Sequence, residues 1–284
     1  MMKKTFKFHK SSQWVRFLVL CAMTVVMLYP LAWIVSASFK ENTEIFNSMS
    51  LIPDNFSLDA FVESWKGSGQ YTFTTFYKNT FIIVVPSVIF TLISSTLAAY
   101  GFARFNFVFK KILFAIMIAT LMLPETKLMI PRYMLFNELG WLNSCFPFWI
   151  PAMFATKSFF IYMMIQFMRG IPRDLDEAAY IDGCNVWQTL TKIIAPLCAP
   201  ALFSAGIFQF MWLWNDFLNQ LLYINSVKLY PISLALKMSL DAQSAVNWNQ
   251  IMAMSVVSMI PPIIVYFVGQ KYLVEGTTTA GLKG

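Results

Sequence analysis

The chain has 284 residues, of which 58% are hydrophobic and only 12% are charged, and its formal net charge is +7. Soluble globular domains contain roughly 45 to 50% apolar and about 25% charged residues. The composition therefore excludes an ordinary soluble domain and predicts a membrane protein.

Six apolar segments are candidates for membrane-spanning helices, which need about 20 residues each. Four of them are clear, at residues 15–35, 81–102, 197–223 and 251–268. Segment 145–168 is long enough but contains Lys157. Segment 112–124 is short for a span and needs flanking residues from Phe109 onward.

The start of the chain loosely imitates a secretory signal peptide, because basic residues precede the first apolar segment and the small residues 36–38 follow it. The apolar core of this segment is too long for a typical signal sequence, so we expect it to remain as the first membrane helix. The predicted fold is all-α with six transmembrane helices. Residues 1–13 form a cytoplasmic tail, and residues 14–284 form a single transmembrane domain.

Lysine and arginine residues in the short loops predict the orientation, because they are more frequent on the cytoplasmic side. With the N-terminus inside, the inner face carries thirteen of them and the outer face seven. The inner set is Lys3, Lys4, Lys7, Lys10, Arg16, Arg104, Lys110, Lys111, Arg169, Arg173, Lys192, Lys271 and Lys283. The outer set is Lys40, Lys66, Lys78, Lys127, Arg132, Lys228 and Lys237. We expect both termini to be cytoplasmic and the positive charge to reflect topology, with no nucleic-acid partner.

Lys157 lies near the middle of the predicted fourth helix, where a charged side chain costs at least about 2.5 to 3.5 kcal/mol on insertion scales. Two interpretations stay open. Lys157 could line a cavity and hydrogen-bond substrate hydroxyls or attract an anionic sugar. Alternatively, it could pair with Asp216 or reach a wet crevice.

Asn215 and Asp216 lie in the outer half of the predicted fifth helix. They are candidates for the substrate pathway, and the alternative is hydrogen bonding between helices. Sugars stack their C–H faces on aromatic rings, so four nearby rings are also pathway candidates: Phe208, Phe210, Trp212 and Trp214. The alternative for each ring is contact with lipid or with the membrane interface.

The sequence gives no support for metal or histidine chemistry. Its one histidine, His9, lies in the basic tail, and its four cysteines have no close pairing: Cys21, Cys145, Cys184 and Cys198. No G-x-x-x-x-G-K-[ST] phosphate loop occurs, so this chain does not cradle ATP in the usual way. We expect no metal, no cofactor and no catalytic residue.

A polar island, residues 172–196, separates two long apolar segments. Pro172 suits a first helical turn, and Asp174, Asp176 and Glu177 favour the positive end of a helix dipole. The island therefore predicts a short helix that begins directly after the fourth membrane helix.

This helix should end at Asp182 and Gly183, because glycine readily adopts the left-handed conformation that closes helices. Asn185 can cap a second helix, and Pro196 marks the boundary with the next apolar segment. One face of the first helix has helical spacing i, i+3, i+4 and i+7: Leu175, Ala178, Ala179 and Asp182. The two small alanines of this face could approach another protein's backbone closely.

This pattern resembles the EAA loop of ABC importer permeases. Five motif positions agree in type and spacing: Glu177, Ala178, Ala179, Gly183 and Pro196. The position before the proline, usually leucine in that family, is Ala195. In the family this loop is the coupling helix that docks into a cleft of the cytoplasmic ATPase. The resemblance therefore implies that six residues between the fourth and fifth helices couple to the ATPase: Glu177, Ala178, Ala179, Asp182, Gly183 and Pro196. An ordinary amphipathic cytoplasmic linker is the alternative.

Other stretches are similar to the carbohydrate-uptake branch of this family, including the smaller of its maltose permease subunits. Residues 78–80 and 98–104 frame the second helix like the permeases' NS/NT and AAYAxAR motifs. Residues 214–217 resemble their WN(D/E)F element, and residues 270–284 resemble their glycine-rich ending. The resemblance covers nearly the whole chain.

The resemblance implies a permease subunit that translocates a sugar or oligosaccharide through the bacterial inner membrane, using ATP hydrolysed by a partner. The implied partners are a second homologous permease, two copies of a cytoplasmic ATPase and an extracytoplasmic substrate-binding protein. The alternative cargo is glycerol 3-phosphate. The alternative class is a secondary transporter, which would need an intramembrane carboxylate relay for which only Asp216 qualifies.

Overall fold

The computed structural model describes residues 10–67, 70–241 and 247–281, and every regular element in these ranges is a helix. The chain divides into two compact units. One unit is Met1–Gln70 with Met238–Ser258, and the other is Tyr71–Lys237 with Met259–Gly284.

The first unit begins with α1 (Lys10–Ala37), followed by the short helices α2 (Asn42–Asn47) and α3 (Asp59–Lys66). The apolar window of α1 is 0% buried. A helix that is apolar on all sides and this exposed needs lipid or another membrane helix around it. Its structure therefore agrees with a membrane-spanning role.

A buried lysine holds the segment that follows α1. Lys40 is 3% exposed, and its Nζ donates to the Ser50 carbonyl oxygen at 2.6 Å and lies 3.5 Å from the Glu44 carboxylate. In the same unit, the Trp248 backbone N–H donates to Asn42 Oδ1 at 2.8 Å. These polar contacts help to hold the segment that follows α1.

The second unit contains most of the remaining helices. They are α4 (Phe73–Arg104), α5 (Lys110–Leu121), α6 (Met129–Glu138), α7 (Phe146–Met153), α8 (Ser158–Arg169), α9 (Asp174–Ile181), α10 (Val186–Thr189), α11 (Ala195–Leu197), α12 (Ala199–Trp214) and α13 (Leu218–Tyr223). A π-helical turn, Leu190–Ile194, joins α10 to α11. The chain ends with α14 (Ile232–Asp241) and α15 (Trp248–Gly281). Short 3-10 turns lie at Glu125–Leu128 and Val227–Leu229.

The centre of the second unit is α4, which packs against α7, α8 and α12. Its buried face carries small hydroxyl residues such as Thr91, Ser94 and Ser95. Small residues let membrane helices approach closely, and the Ser94 hydroxyl donates to the Ala152 carbonyl oxygen of α7 at 2.6 Å. The interior of this unit is therefore held by close helix contacts.

The motif at residues 78–80 has a structural role at the start of α4. The Asn79 amide donates to the carbonyl oxygens of Lys228 and Tyr230, at 2.8 and 3.0 Å. The Thr80 hydroxyl accepts a hydrogen bond from the Ile232 backbone N–H at 2.9 Å. These bonds tie the loop before α14 to α4.

In the described ranges, four helical segments are long and apolar enough to cross a membrane. They are Trp14–Ala37, Phe73–Arg104, Phe146–Arg169 and Trp248–Tyr272. They contain nearly all of the predicted segments 15–35, 81–102, 145–168 and 251–268. The predicted all-α membrane class is confirmed at this level.

The predicted third segment does not form a straight span. The helix α5 has 12 residues, which gives about 18 Å, whereas the hydrocarbon core is about 30 Å thick. Pro124 disfavours a helical conformation at Leu123, and the next helical stretch, Glu125–Glu138, is turned by 100°.

The predicted fifth helix, 197–223, needs a correction of its bounds. The chain bends by 76° between Val186–Leu197 and Ala199–Trp214, because Pro200 lacks an N–H and starts a new helix. The helix α12 then ends at Trp214. Six spans are reached only if each of the two bent helix pairs forms one span.

Candidate functional site

The polar island folds as two short helices joined by a tight turn. We name it the coupling segment (residues 172–196), after the role that the sequence resemblance implies. The first helix, α9, begins two residues after Pro172, and its first turn carries Asp174, Asp176 and Glu177. These acidic residues lie at the positive end of the helix dipole, as the sequence predicts.

The turn after α9 is closed by backbone hydrogen bonds around Gly183. Gly183 has a φ of +80° and donates to the Tyr180 carbonyl oxygen at 3.0 Å. Cys184 donates to the Ala179 carbonyl oxygen at 2.9 Å. This pair of bonds is the Schellman motif, which favours glycine at the left-handed position.

The second helix of the coupling segment begins with a complete capping box. The Gln188 backbone N–H donates to Asn185 Oδ1, and the Asn185 backbone N–H donates to Gln188 Oε1, both at 2.9 Å. The π-helical turn Leu190–Ile194 then leads into Pro196. A wider turn relieves the clash that a proline ring makes with the preceding turn of a regular helix.

Arg104, the last residue of α4, anchors the start of the coupling segment. Its Nη1 and Nη2 both donate to the Ile171 carbonyl oxygen at 3.2 Å. Its Nε lies 3.1 Å from Asp176 Oδ2, and the two side chains are 7% and 24% exposed. The guanidinium therefore fixes α9 to the end of α4 through a charged, nearly buried contact.

Buried apolar residues anchor the end of the coupling segment. Leu190 is 4% exposed, and Ile194 and Cys198 are 0% exposed. They belong to one cluster with residues of α4 and α8 such as Tyr100 and Met164. The end of the coupling segment is therefore packed into the same apolar cluster as α4 and α8.

The tip of the coupling segment exposes large apolar side chains: Tyr180 at 81%, Ile181 at 83%, Val186 at 57% and Trp187 at 60%. These four side chains lie outside the set of residues predicted from the sequence. The signal that could have found them is the presence of large apolar residues in a polar island outside any span. Exposed apolar patches of this kind mark contacts with another protein or with a membrane.

The predicted coupling residues are not all open to a partner. Glu177, Ala178 and Asp182 are exposed. Ala179 is 2% exposed, so its methyl group packs within this chain. The expected face of two accessible alanines is therefore corrected to Ala178 alone.

The sequence predicts that Lys157 lies inside a continuous fourth helix. This prediction is wrong, because the helix is interrupted just before Lys157. The helix α7 ends at Met153 and α8 begins at Ser158, and Ala155 between them has a φ of +55°. Lys157 directly precedes α8. The fourth span is therefore interrupted near its middle, at residues 154–157.

One charged partner of Lys157 is Glu125, which the sequence did not predict. Lys157 Nζ lies 3.5 Å from Glu125 Oε1, and their side chains are 39% and 68% exposed. Next to this pair, the hydroxyls of Thr120 and Ser158 are 2.8 Å apart. The interruption of the fourth span thus faces the bend after α5 with polar groups.

Asn215 and Asp216 lie just beyond the end of α12. The Asn219 amide donates to both carboxylate oxygens of Asp216, at 3.1 and 2.9 Å, and the Asn219 backbone N–H donates to Oδ1 at 3.1 Å. The Asn215 amide donates to the Met211 carbonyl oxygen at 2.8 Å. These local bonds shape the turn between α12 and α13. They are not the hydrogen bonds between membrane helices that were the alternative to a pathway role for Asn215 and Asp216.

The structure separates the four candidate rings into two pairs. Trp214 is 4% and Phe210 9% exposed, and their stacked rings have centroids 5.3 Å apart. Trp214 also contacts Phe81, with centroids 5.2 Å apart. The expectation of a pathway role for Trp214 and Phe210 is therefore corrected, because both lie in the core.

The other two rings are accessible and meet a third. Trp212 is 50% and Phe208 37% exposed, and Phe159 of α8 is 39% exposed. The ring centroids of Phe159 and Trp212 are 5.1 Å apart, and those of Phe159 and Phe208 are 6.4 Å apart. We name these three residues the aromatic patch. It begins two residues after Lys157.

In the part of the chain that the structure describes, no group of three or more His, Cys, Asp or Glu side chains could hold a metal ion. Residues 1–9 of the basic tail, which include His9, and the last residues of the glycine-rich ending, 282–284, lie outside the described residues.

Residues 91–279 match the family of binding-protein-dependent transport system inner membrane components. The chain belongs to this family. It is 30% identical to the trehalose/maltose transport system permease protein of Thermococcus litoralis, over 92% of this chain and 94% of that protein. It is also 30% identical to the sulfoquinovosyl glycerol transport system permease protein of Agrobacterium fabrum, over 95% of this chain and 93% of the relative.

A solved structure has the same fold. It is a crystal structure of a bacterial ABC transporter involved in the import of the acidic polysaccharide alginate, and it matches with a TM-score of 0.84 and 25% sequence identity. The match covers 94% of this chain and 99% of that chain.

Family membership confirms the predicted class. The chain is a multi-pass permease subunit of an ABC importer and not an enzyme, and such permeases work with an ATPase and a binding protein. The named relatives agree with the predicted resemblance to the carbohydrate-uptake branch. The alternative of a self-sufficient secondary transporter disagrees with this membership.

Proposed function

We propose that this chain is one of two homologous permease subunits in an importer for a sugar or oligosaccharide. The relatives support this cargo, since their names and titles give trehalose/maltose, sulfoquinovosyl glycerol and alginate. Two copies of an ATPase bind the cytoplasmic face, and an extracytoplasmic binding protein delivers the sugar. The chain crosses the inner membrane six times with both termini in the cytoplasm.

The observation that carries this proposal is the construction of the coupling segment. Its base is fixed to α4 by Arg104 and to the core by Leu190 and Ile194, whereas its tip exposes Tyr180 and Ile181. A rigid base with an apolar tip is suited to transmit the movement of an ATPase to membrane helices. Glu177, Ala178, Asp182 and Gly183 complete the docking surface.

The interrupted fourth span is the proposed contact with cargo. Broken helices near the middle of a membrane leave backbone groups that must face protein or a wet cavity, and transporters use such breaks as substrate sites. Lys157 and Glu125 can hydrogen-bond sugar hydroxyls, and the aromatic patch can stack on sugar C–H faces. The exposure of these side chains supports this role.

Site-specific photo-crosslinking tests the coupling role. A photoreactive amino acid at Ile181, which is 83% exposed, should crosslink to the ATPase in intact membranes. The matched control is Met49, which is 92% exposed on the predicted outer side and should give no ATPase adduct. An ATPase adduct from Met49, or none from Ile181 in an assembled complex, would contradict the proposed orientation of the coupling segment.

Uptake by a strain that lacks this chain tests the cargo. Labelled sugars, oligosaccharides and glycerol 3-phosphate are compared with and without the gene on a plasmid. We expect loss of uptake for a sugar or oligosaccharide only. If only the uptake of glycerol 3-phosphate is lost, the cargo is glycerol 3-phosphate and the sugar proposal is wrong.

A further inference from the structure

A basic cavity lies at the Arg104 end of α4, next to the base of the coupling segment. Its volume is about 550 Å³. It is lined by residues 102–104 at the end of α4, by Lys110 at the start of α5 and by residues 169–173. Four cations contribute to the lining: Arg104, Lys110, Arg169 and Arg173. It is distinct from the exposed tip of the coupling segment and from the interrupted fourth span.

Only one of the four cations has a carboxylate partner among the described residues. Arg104 is paired with Asp176, whereas the ion pairs of the described chain include none with the other three. Lys110 Nζ donates to the Phe105 carbonyl oxygen at 2.6 Å, and the Arg169 guanidinium lies 5.2 Å from the ring centroid of Phe114. These contacts orient the side chains without neutralising them.

Three of these cations share one concave surface. Lys110, Arg169 and Arg173 all line the cavity. Like charges that line one concave surface raise the local positive potential, which attracts an anion. An anion that contacts all three would replace the repulsion between these like charges with attraction.

The neighbouring loop indicates which anion fits. Phe107, Val108 and Phe109 are 41%, 76% and 67% exposed, and they directly precede Lys110. Large apolar side chains beside lysines and arginines are typical of a segment at the membrane–water boundary. A soluble anion would leave these side chains in water, whereas a lipid covers them with its acyl chains.

We propose that this cavity binds the phosphate headgroup of an anionic phospholipid of the inner leaflet. Lys110, Arg169 and Arg173 contact the phosphate, and the loop Phe107–Phe109 contacts the acyl chains. Basic pockets between membrane helices on the cytoplasmic side are suited to such headgroups. The proposal rests on the cytoplasmic orientation of the coupling segment given above.

The position of the cavity gives the lipid a structural consequence. Arg104 and Ile171 line it and also form the hydrogen bonds that fix the start of the coupling segment. A bound headgroup therefore braces the junction between α4, α8 and α9. We expect anionic lipid to stabilise the assembled permease.

The test uses the assembled transporter in lipid nanodiscs. Phosphatidylglycerol is titrated into phosphatidylcholine, and bound lipid is counted by native mass spectrometry while thermal unfolding is followed. The site variant Lys110→Gln with Arg173→Gln is compared with the control Lys111→Gln with Lys271→Gln, which removes the same charge from exposed positions outside the cavity lining. The variant Lys110→Arg with Arg173→Lys keeps the charge at the site.

Wild type, the control and the charge-keeping variant should retain phosphatidylglycerol and unfold at a higher temperature with it. The site variant should bind it roughly thirtyfold more weakly, as expected for the loss of two cations near a membrane surface. Equal retention by the site variant and the control would overturn the proposal. The proposal would also be overturned if inorganic phosphate, added to nanodiscs of pure phosphatidylcholine, raised the unfolding temperature as much as phosphatidylglycerol does. That result would indicate a soluble anion.

A third result would also overturn it. If the site variant loses the ATPase in pure phosphatidylcholine, the cavity faces acidic groups of that partner. Crosslinking at Ile181 is measured in the same samples, so failure of the lipid site is separated from failure of the coupling proposal.

Discussion

The coupling segment and the interrupted fourth span both break the run of apolar helices, but they are held in different ways. The turn of the coupling segment is closed by near neighbours in the chain, such as Gly183 with Tyr180 and Asn185 with Gln188. The break at residues 154–157 meets its polar partner, Glu125, across about thirty positions of sequence.

This difference decides how each region tolerates change. Local caps stay formed when distant parts of the molecule move, so the coupling segment can act as one rigid body. The Lys157–Glu125 pair joins two bent helices and is largely exposed, so it can open without unfolding either helix. In the proposed function, the coupling segment is the rigid lever and the Lys157–Glu125 pair is the adaptable contact with cargo.

Gly183→Asp should have the largest effect on transport. A Cβ at Gly183 meets nothing within 4 Å, and aspartate tolerates a positive φ better than most residues, so the protein should accumulate. The new charge lies beside the docking tip, and uptake should fall by about tenfold or more, equivalent to at least about 1.4 kcal/mol of coupling. Labelled-sugar uptake and co-purification of the ATPase measure this.

The matched control is Gly183→Asn, which has nearly the same shape without the charge and should retain most of the uptake. Normal uptake by the aspartate variant at wild-type expression would remove the basis for the coupling role. Equal loss in both variants would indicate backbone strain instead of charge.

Replacing Trp212 and Trp214 one at a time should distinguish a ring of the pathway from a ring of the core. Trp214→Ala removes a buried ring, which typically costs about 3 to 5 kcal/mol, so accumulation in the membrane should fall. Trp212→Ala removes an exposed ring of the aromatic patch, so accumulation should stay normal while the apparent KM for uptake rises several-fold. Immunoblots and uptake curves measure the two effects, and the opposite pattern would exchange the two assignments.

Arg104→Gln should loosen the base of the coupling segment. It removes the ion pair with Asp176 and weakens the bonds to Ile171, a loss of about 1 to 3 kcal/mol for a nearly buried charged contact. Thermal unfolding of the purified permease measures it. Arg104→Lys keeps the charge but not the planar fork and should lie between wild type and glutamine. A glutamine variant as stable as wild type would show that the apolar cluster alone holds the segment.

Lys157→Met should have the smallest effect on stability, because exposed ion pairs contribute about 0 to 1 kcal/mol. Accumulation should be unchanged and the apparent KM for uptake should rise. Adding Asp216→Asn should change accumulation little, since Asn219 already holds that carboxylate. Unchanged affinity and rate would remove Lys157 from the cargo site, and poor accumulation rescued by Asp216→Asn would restore the pairing first considered.

Sequence reasoning succeeded where the relevant contacts are short-range. The helix ends at Gly183 and Asn185 follow from the conformational freedom of glycine and the capping amide of asparagine, and the structure has both. The apolar lengths around residues 15–35, 81–102 and 251–268 likewise correspond to long helices. These features depend on residues within a few turns of one another.

Sequence reasoning failed where a helix bends or where burial decides. Segment 197–223 is long enough for one straight helix, and Pro200 and Asn215 within it do not fix by themselves how far the chain turns at Cys198 or that the helix stops at Trp214. Likewise, Trp212 and Trp214 are chemically alike, and only the position of α4 buries one of them.

The sequence by itself determined that this protein is an all-α membrane protein with a capped polar segment, because length, hydropathy and turn chemistry are local properties. Only the tertiary structure decided that Arg104 fixes this segment, that Lys157 meets Glu125 and that four cations line one cavity. Such contacts join residues far apart in the chain. Their geometry is therefore set by how the helices pack, which no local pattern specifies.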